Sequence, residues 1–317
     1  MRAYIVRRLL ALVPTLLFAS IIVFVTVRLI PGDVIDMMLS QNDIGAEKLS
    51  REQLEHVLGF DRPMAQQFVV WIFGILRGDF GTSLWRSTPV LDDVLQRLPV
   101  TFELGLLALM VALTIALPIG VYSAMRQDTA GDIVARSFSI LLLAVPSFWL
   151  GTMVVVFPSI WWGWSPEVNY VAFGTDPVQN LKQMIVPAIV LGAALSAVTM
   201  RLTRTMMLEV LRQDYIRTAW AKGLPERLVV MRHALRNALI PVVTLVGLQA
   251  PILIGGAVII EQIFVIPGMG SLLLEAVNQR DYPVITGVFL VVGLAVMLIN
   301  LIVDLSYGLL DPRVRHR

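Results

Sequence analysis

Cysteine is absent from the 317 residues of this chain, and charged residues make up only 15% of it. The first absence excludes disulfide bonds, thiolate catalysis and cysteine-based metal sites. The second excludes an ordinary soluble domain, in which about 25% of the residues are charged. Because 57% of the residues are hydrophobic, the composition is typical of a polytopic membrane protein.

The sequence also lacks a Gly-x-x-x-x-Gly-Lys-Ser/Thr motif, so the chain has no P-loop with which to bind and hydrolyse ATP. Its histidines, His56, His233 and His316, fall on both sides of the membrane in the topology given below, which argues against a shared metal site. The basic residues are divided among short loops, a pattern that does not indicate nucleic-acid binding. Energy for uphill transport would therefore come from a partner or from an ion gradient.

Six uncharged, apolar runs are long enough to cross a bilayer as helices, which takes about 20 residues each. We therefore predict an all-α polytopic membrane protein with six transmembrane helices. The first run follows three arginines, as in a secretory signal peptide, but no cleavage site of the Ala-x-Ala type follows it, so we expect an uncleaved helix. The runs cover residues 9–27, 104–125, 137–166, 183–200, 237–260 and 282–303.

Residues 31–98 carry too many charges to span a membrane, and we predict a loop subdomain with two short helices, at residues 51–58 and 64–76. The second of these is apolar enough to lie on the membrane. Arg28, at the end of the first run, is expected to extend towards the interface. The predicted segments are 1–30 with the first span, the subdomain 31–98, a membrane core at 99–307 and a tail at 308–317.

Lysine and arginine are concentrated in alternate loops, which sets the orientation of a membrane protein. With the N-terminus inside, the inner segments hold sixteen basic residues and the outer segments eight, although the outer segments are longer in total. We therefore predict an N-in, C-in topology. It places residues 31–98 in the extracytoplasmic space and residues 201–236, between the fourth and fifth spans, in the cytoplasm.

The cytoplasmic segment 201–236 is the long polar interruption in the second half of the chain and holds eight basic residues. Leu211, Tyr215, Thr218 and Ala219 recur at helical spacing, which predicts a short amphipathic helix. Gly223 is suited to end that helix, and Pro225 to begin the next one. The pattern of helix, break and helix fits either a docking element for a partner or a basic helix on anionic lipid headgroups.

The same segment resembles the cytoplasmic loop of ABC importer permeases, whose signature is Glu-Ala-Ala, three residues, Gly, nine residues and Ile-x-Leu-Pro. Arg217-Thr218-Ala219 stands at the first positions, Gly223 at the glycine and His233-Ala234-Leu235-Arg236 at the last ones. The departures, Arg217 for the acid and Arg236 for the proline, are similar to the B-type permease of the oligopeptide, dipeptide and nickel branch. Further family hallmarks occur at residues 29–33, 259–270, 281–284 and 311–313.

The resemblance implies a permease subunit in the bacterial inner membrane that forms half of a translocation path for peptides or a related solute. It implies as partners a second homologous permease, two ATPase subunits that bind ATP and Mg²⁺, and an extracytoplasmic binding protein. The segment would form a coupling helix in a groove of the ATPase. The residues expected to transmit force there are Arg217, Thr218, Ala219, Lys222 and Gly223, and none of them is catalytic.

Ionisable groups are costly inside a membrane, at about 2.5–3.5 kcal/mol each near the helix centre. Here only Glu103, Glu261 and Asp304 come near a span, each close to an end. Each is compatible with an interfacial carboxylate that caps or pairs locally. Because the resemblance implies that the fifth helix lines the path, Glu261 is also a candidate for an outer gate. The alternative is that it accepts backbone hydrogen bonds from the turn at residues 267–270.

Two other functions remain open at this point. An ion-coupled secondary transporter needs no ATPase, but the scarcity of charges within the spans argues against it. A membrane channel or scaffold would not require a basic loop of helix, break and helix. The substrate is left open among dipeptides, longer peptides, nickel and sugar conjugates, since the resemblance implies that a separate binding protein largely selects it.

Overall fold

The computed structural model describes residues 2–29, 35, 51–59 and 61–310. Within them the chain is helical and has no strand, only an isolated bridge between Thr82 and Pro89, which confirms the all-α prediction for this part of the chain. The helices are α1 (Arg2–Arg28), α2 (Arg51–Leu58), α3 (Met64–Leu76), α4 (Val90–Met125), α5 (Ala130–Ala144), α6 (Ser147–Trp162), α7 (Pro177–Leu211), α8 (Asp214–Ala221), α9 (Glu226–Leu228), α10 (Leu235–Ile263), α11 (Met269–Gln279) and α12 (Tyr282–Leu310).

Five helical segments among the described residues are long and apolar enough to cross a membrane, and a sixth candidate is the pair α5 and α6. That pair is bent by 90°, so the prediction of one continuous span over residues 137–166 is corrected. The bend falls at Val145 and Pro146, which both have extended backbones with ψ of 118° and 135°. Proline lacks an N–H donor and disfavours helix at the residue before it, which explains the break.

Helix α7 is longer than the predicted span, because it continues past residue 200 as far as Leu211. It begins where the Asp176 carboxylate accepts hydrogen bonds from the backbone N–H groups of Val178 and Gln179 and Pro177 occupies the first turn, an arrangement that favours a helix start. Its last turns remain helical because Thr203 and Met207 are buried. The polar segment 201–236 therefore begins as helix rather than as loop.

The described chain divides into two compact units. The first unit comprises Val100–Gly270 with the described parts of Met1–Ile5 and Val296–Arg317, and the second comprises the described parts of Val6–Pro99 together with Ser271–Ala295. The two units are described separately below.

In the first unit, α7 packs against α4 and α10 through a buried apolar core that includes Leu104, Met184 and Ile260. Small residues allow close approach of membrane helices, and two glycines do so here. A Cβ on Gly192 would lie 2.5 Å from the Ala108 carbonyl oxygen, and one on Gly120 would lie 2.8 Å from Thr203 Cβ. The helices of this unit therefore pack with little room for larger side chains at these two contacts.

In the second unit, an aromatic group joins α1 to α3. The Phe24 ring centroid lies 5.2 Å from that of Phe68 and 5.4 Å from that of Trp71. At the start of α12, the buried Asp281 carboxylate accepts a hydrogen bond of 2.5 Å from the Ser83 hydroxyl and one of 3.2 Å from the Leu84 N–H. Residues 83–84 of the loop subdomain are thereby fixed against the last helix.

Candidate functional site

The polar segment between α7 and α10 has the predicted order of helix, break and helix. Helix α8 spans Asp214–Ala221, and Gly223 follows it with φ of 77°, the left-handed conformation that glycine adopts without strain. Pro225 then precedes α9, which continues through a π-helical stretch, Val229–Ala234, into α10. Two details of the predicted amphipathic helix are corrected. Leu211 ends α7 and does not belong to this helix, and Tyr215 and Thr218 are exposed, whereas Ala219 is buried.

Helix α8 is held by a small apolar cluster in the first unit. Ile216 is completely buried and Ala219 nearly so, and they pack with Met207 of α7 and with Val229 and Val230 of the π-helical stretch. Full burial of an isoleucine side chain contributes about 1.5–3 kcal/mol, so Ile216 is the main anchor. Sequence reasoning missed Ile216, although its spacing of three residues from Ala219 marks the same helical face.

The opposite face of α8 is exposed. Of the five residues expected to transmit force, Arg217, Thr218, Lys222 and Gly223 are exposed, whereas Ala219 lies on the anchored face. The structure thus separates the motif into four surface residues and one packing residue.

The exposed part of the segment also carries two aromatic side chains that the motif did not indicate. Tyr215 is 45% exposed and Trp220 is 42% exposed. The Tyr215 hydroxyl accepts a hydrogen bond of 2.8 Å from the Asn237 side chain on α10. Tyrosine and tryptophan are enriched at protein interfaces. The sequence pattern had singled out Tyr215 for its spacing, and a search for large aromatic residues beside the motif would also have found Trp220.

Glu261, the other predicted site residue, lies in the last turn of α10 and is only 1% exposed. The Thr101 hydroxyl on α4 donates a 2.5 Å hydrogen bond to its Oε1 atom and accepts a 2.7 Å bond from the Met269 N–H. Gly268 lies so close to the carboxylate that a Cβ there would overlap it. The carboxylate is therefore enclosed beneath the turn that follows α10 and joined to that turn through Thr101.

Glu103, near the end of a span, has a local hydrogen-bond partner. The Tyr170 hydroxyl donates a 3.2 Å hydrogen bond to its Oε2 atom. Burial raises the pKa of the Tyr170 hydroxyl to about 12, with the neighbouring Glu103 carboxylate as the second cause. Tyr170 thus remains a hydrogen-bond donor at neutral pH. The side chain of Asp304 and the hallmark residues 30–33 and 311–313 lie outside the described residues.

Known proteins are similar to this chain over its whole length. Residues 116–316 match the family described as "Binding-protein-dependent transport system inner membrane component", and residues 1–105 match the N-terminal part of such a membrane component. The chain belongs to this family. It is therefore an inner membrane component of a binding-protein-dependent transport system, and the ion-coupled carrier and the channel or scaffold are no longer needed as alternatives.

Among the relatives of this inner membrane component is the dipeptide transport system permease protein DppB of Escherichia coli K12, with 38% identity over 100% of both chains. The oligopeptide transport system permease protein AppB of Bacillus subtilis is 40% identical, again over 100% of both. A solved structure, "Crystal structure of an amino acid ABC transporter with histidines", covers 70% of this chain and 94% of its own at 11% identity. Its TM-score of 0.48 is too low to carry a structural argument.

A buried ion pair joins the helix ends next to the α8 segment, and sequence reasoning missed it. Asp132 near the start of α5 is fully buried, and Arg204 of α7 binds it through two hydrogen bonds of 2.8 and 2.7 Å. Ser123 of α4 donates a short hydrogen bond to the same carboxylate, and the Asp128 N–H donates one of 3.0 Å. The pair thus ties α4 and α5 to the part of α7 that leads into α8.

Removing the charge of Asp132 tests this tie. Asp132→Asn leaves the partly buried Arg204 guanidinium without its counter-charge, which costs about 3–5 kcal/mol in buried pairs. We expect a clear drop in the melting temperature of the purified protein. Asp214→Asn is the matched control, because Asp214 is 95% exposed and lies 3.4 Å from an exposed arginine, a kind of pair that contributes about 0–1 kcal/mol. Equal melting temperatures for the two variants would show that the buried pair does not hold these helices.

Proposed function

We propose that this chain forms half of the translocation path of an ATP-driven importer and that its cargo is peptide. The relatives named for dipeptide and oligopeptide transport support the cargo. The observation that carries the mechanism is helix α8, which is buried through Ile216 and Ala219 on one face and exposed through Arg217, Thr218 and Lys222 on the other. A helix fixed to its own chain on one face and free on the other is suited to pass on the movement of a partner.

The partner of α8 in this proposal is a separate ATPase subunit that binds ATP and Mg²⁺. The exposed Trp220 and Tyr215 supply large contact surfaces, and Arg217 and Lys222 supply charge. Movement of the ATPase displaces α8, and the contact between Ile216 and Met207 carries the displacement into α7. The complete importer would also contain a second homologous permease, a second ATPase subunit and an extracytoplasmic binding protein.

The proposal requires the N-in, C-in orientation, which places α8 in the cytoplasm. The distribution of lysine and arginine supports it. Residues 31–98 then form the extracytoplasmic subdomain, and α2 and α3 lie on the side from which a binding protein delivers its cargo. The turn after α10 lies on that side as well.

We propose that Glu261 acts at the outer gate by holding this turn in place, rather than by meeting a peptide amine directly. Its burial under Gly268 supports this, because an amine would reach the carboxylate only after the turn had moved. Thr101 connects the carboxylate to the Met269 N–H. Opening of the path at this point would therefore require the Thr101 contacts to break.

Single cysteines introduced into this cysteine-free chain will report the orientation. Gln66 of α3 and Ala221 of α8 are both exposed, so neither substitution disturbs packing. In intact cells an impermeant thiol reagent should label Gln66→Cys and should label Ala221→Cys only after permeabilisation. Labelling of Ala221→Cys in intact cells would reverse the orientation and remove α8 from the reach of a cytoplasmic ATPase.

The role of the coupling loop is tested by a bulky side chain at Gly223. No atom lies within 4 Å of a Cβ placed there and Gly223 is exposed, so a side chain can leave towards solvent. The left-handed backbone adds strain of about 1 kcal/mol to Gly223→Trp. We expect normal membrane insertion. The affinity for the ATPase, followed by co-purification, should fall by about tenfold or more, corresponding to 1.4 kcal/mol. ATP-dependent peptide uptake should be lost.

Gly163→Trp is the control for that experiment. Gly163 has φ of 66°, also with no atom within 4 Å of its Cβ, and it lies in the same unit but outside the coupling loop. The Gly163→Trp substitution imposes the same kind of backbone strain and should leave ATPase co-purification unchanged. If Gly223→Trp supports wild-type uptake, the loop is not part of the coupling mechanism.

Glu261→Gln tests the gate. The substitution keeps the size of the side chain and an oxygen that accepts from Thr101, but it removes the negative charge. We expect reduced peptide uptake or raised ATP hydrolysis in the absence of cargo, with assembly intact, because the turn is held less firmly. Thr101→Val removes the hydroxyl that joins the carboxylate to the turn and should produce the same change. Uptake, ATPase rate and melting temperature all at wild-type values in Glu261→Gln would exclude a role for the charge in transport.

A further inference from the structure

The second unit contains a cavity of about 420 Å³ that none of the functions above uses. Its wall is formed by the end of α1, by α2 and α3, by the loop after α3 and by the start of α12. The side chains that matter for its chemistry are Arg28, His56, Arg62, Gln67, Trp71 and Asp79.

Arg28 is a half-buried cation in this wall. Its guanidinium carbon lies 3.6 Å from the centroid of the Phe24 ring, and its Nε atom donates a 2.9 Å hydrogen bond to the Gln67 side-chain oxygen. Among the described residues no carboxylate pairs with it. The Arg28 side chain is therefore packed within the second unit, against Phe24 and Gln67. Removing a charge from water without a counter-charge is costly, so this position calls for an anion.

Trp71 adds a second group that lacks a partner. Its indole Nε1–H is buried and has no acceptor in the part of the chain that the structure describes. The ring is fixed by Phe24 at 5.4 Å and by Phe68 at 5.9 Å between centroids, so it cannot easily turn towards solvent. Leaving a buried donor without an acceptor is unfavourable, because the group has lost its hydrogen bonds to water. Its partner must therefore bring an acceptor atom.

The acids near the cavity already have other partners. Asp79 accepts a 2.9 Å hydrogen bond from the Gly81 N–H, and Asp61 lies 2.8 Å from the His56 ring. Arg62 adds a second guanidinium to the wall. The cavity thus presents guanidinium and indole donors, and the complementary ligand is an oxyanion with several acceptor oxygens, such as a phosphate group.

The position of the cavity bears on where such a phosphate group would come from. Arg28 is the last residue of the first membrane helix. Helix α3, on the other side of the cavity, has thirteen residues without a charge and exposes Val69, Val70, Phe73 and Leu76. An apolar helix of this kind lies in the interface of a bilayer. We propose that the cavity binds the headgroup phosphodiester of an anionic phospholipid, held by Arg28 and the Trp71 indole.

The test uses the importer purified with its partner subunits, stripped of lipid in detergent and titrated with phosphatidylglycerol, phosphatidylcholine or inorganic phosphate. Native mass spectrometry counts the lipids bound at each concentration. We expect tight binding of phosphatidylglycerol that Arg28→Gln weakens by about tenfold or more, corresponding to 1.4 kcal/mol. Trp71→Phe, which keeps the ring and removes the N–H, should weaken it by a smaller factor.

Arg77→Gln is the matched control, because Arg77 is exposed at the end of α3 and does not line the cavity. The affinity of this variant for phosphatidylglycerol should be that of the wild type. Arg28→Lys keeps the positive charge and replaces Arg28→Gln in the comparison if Arg28→Gln fails to assemble. With inorganic phosphate present, Arg28→Lys should bind phosphatidylglycerol more tightly than Trp71→Phe does. Equal affinities for Arg28→Gln and Arg77→Gln, or for phosphatidylglycerol and phosphatidylcholine, would overturn the proposal. Displacement of the lipid by millimolar inorganic phosphate would assign the cavity to a free oxyanion and overturn the lipid as its source.

Discussion

The close packing of α7 is the constraint on which the first unit depends. In its most apolar window 61% of the residues are buried, against 17–28% in the other four candidate spans. Without water between them, membrane helices associate through contact of their surfaces, which favours small side chains. Gly192 of α7 and Gly120 of α4 provide such surfaces where the two helices meet. Helix α7 is thus the most extensively buried of the candidate spans, and its neighbours are arranged around it.

The C-terminal end of α7 combines two kinds of contact that differ in their directionality. The pairing of Asp132 with Arg204 is directional and fixes α5 at one orientation on α7. The apolar contact of Ile216 with Met207 is not directional and holds α8 through burial alone. In the coupling mechanism proposed for α8 this division is useful, because a bidentate ion pair fixes geometry more strictly than apolar burial does.

Local patterns predicted most of the helices. Hydropathy over about 20 residues located the spans, and glycine and proline located the ends of α8 and α9. What the sequence could not show is which residues meet across a distance. Asp132 and Arg204 lie 72 residues apart, and nothing in the sequence indicates that they pair. The motif likewise gave the position of Ala219 but not the face it occupies, because packing against Val229 and Val230 decides that. Pro146 alone does not predict the bend, because membrane helices often tolerate proline. The helix breaks here because Val145, the residue before it, is extended as well.

Two charged side chains illustrate how a membrane protein can meet the cost of burial in different ways. Glu261 is enclosed by its own chain, which supplies a hydroxyl donor and a turn that covers it. Arg28 receives an amide oxygen and an aromatic face, but no acid among the described residues. A group satisfied from within can respond to movement of the surrounding turn, as a gate must. A group satisfied from outside depends on what the surroundings contain, and at the end of a membrane helix those surroundings are lipid headgroups. The two proposals, a gate at Glu261 and a lipid headgroup at Arg28, thus rest on two different answers to the same electrostatic cost.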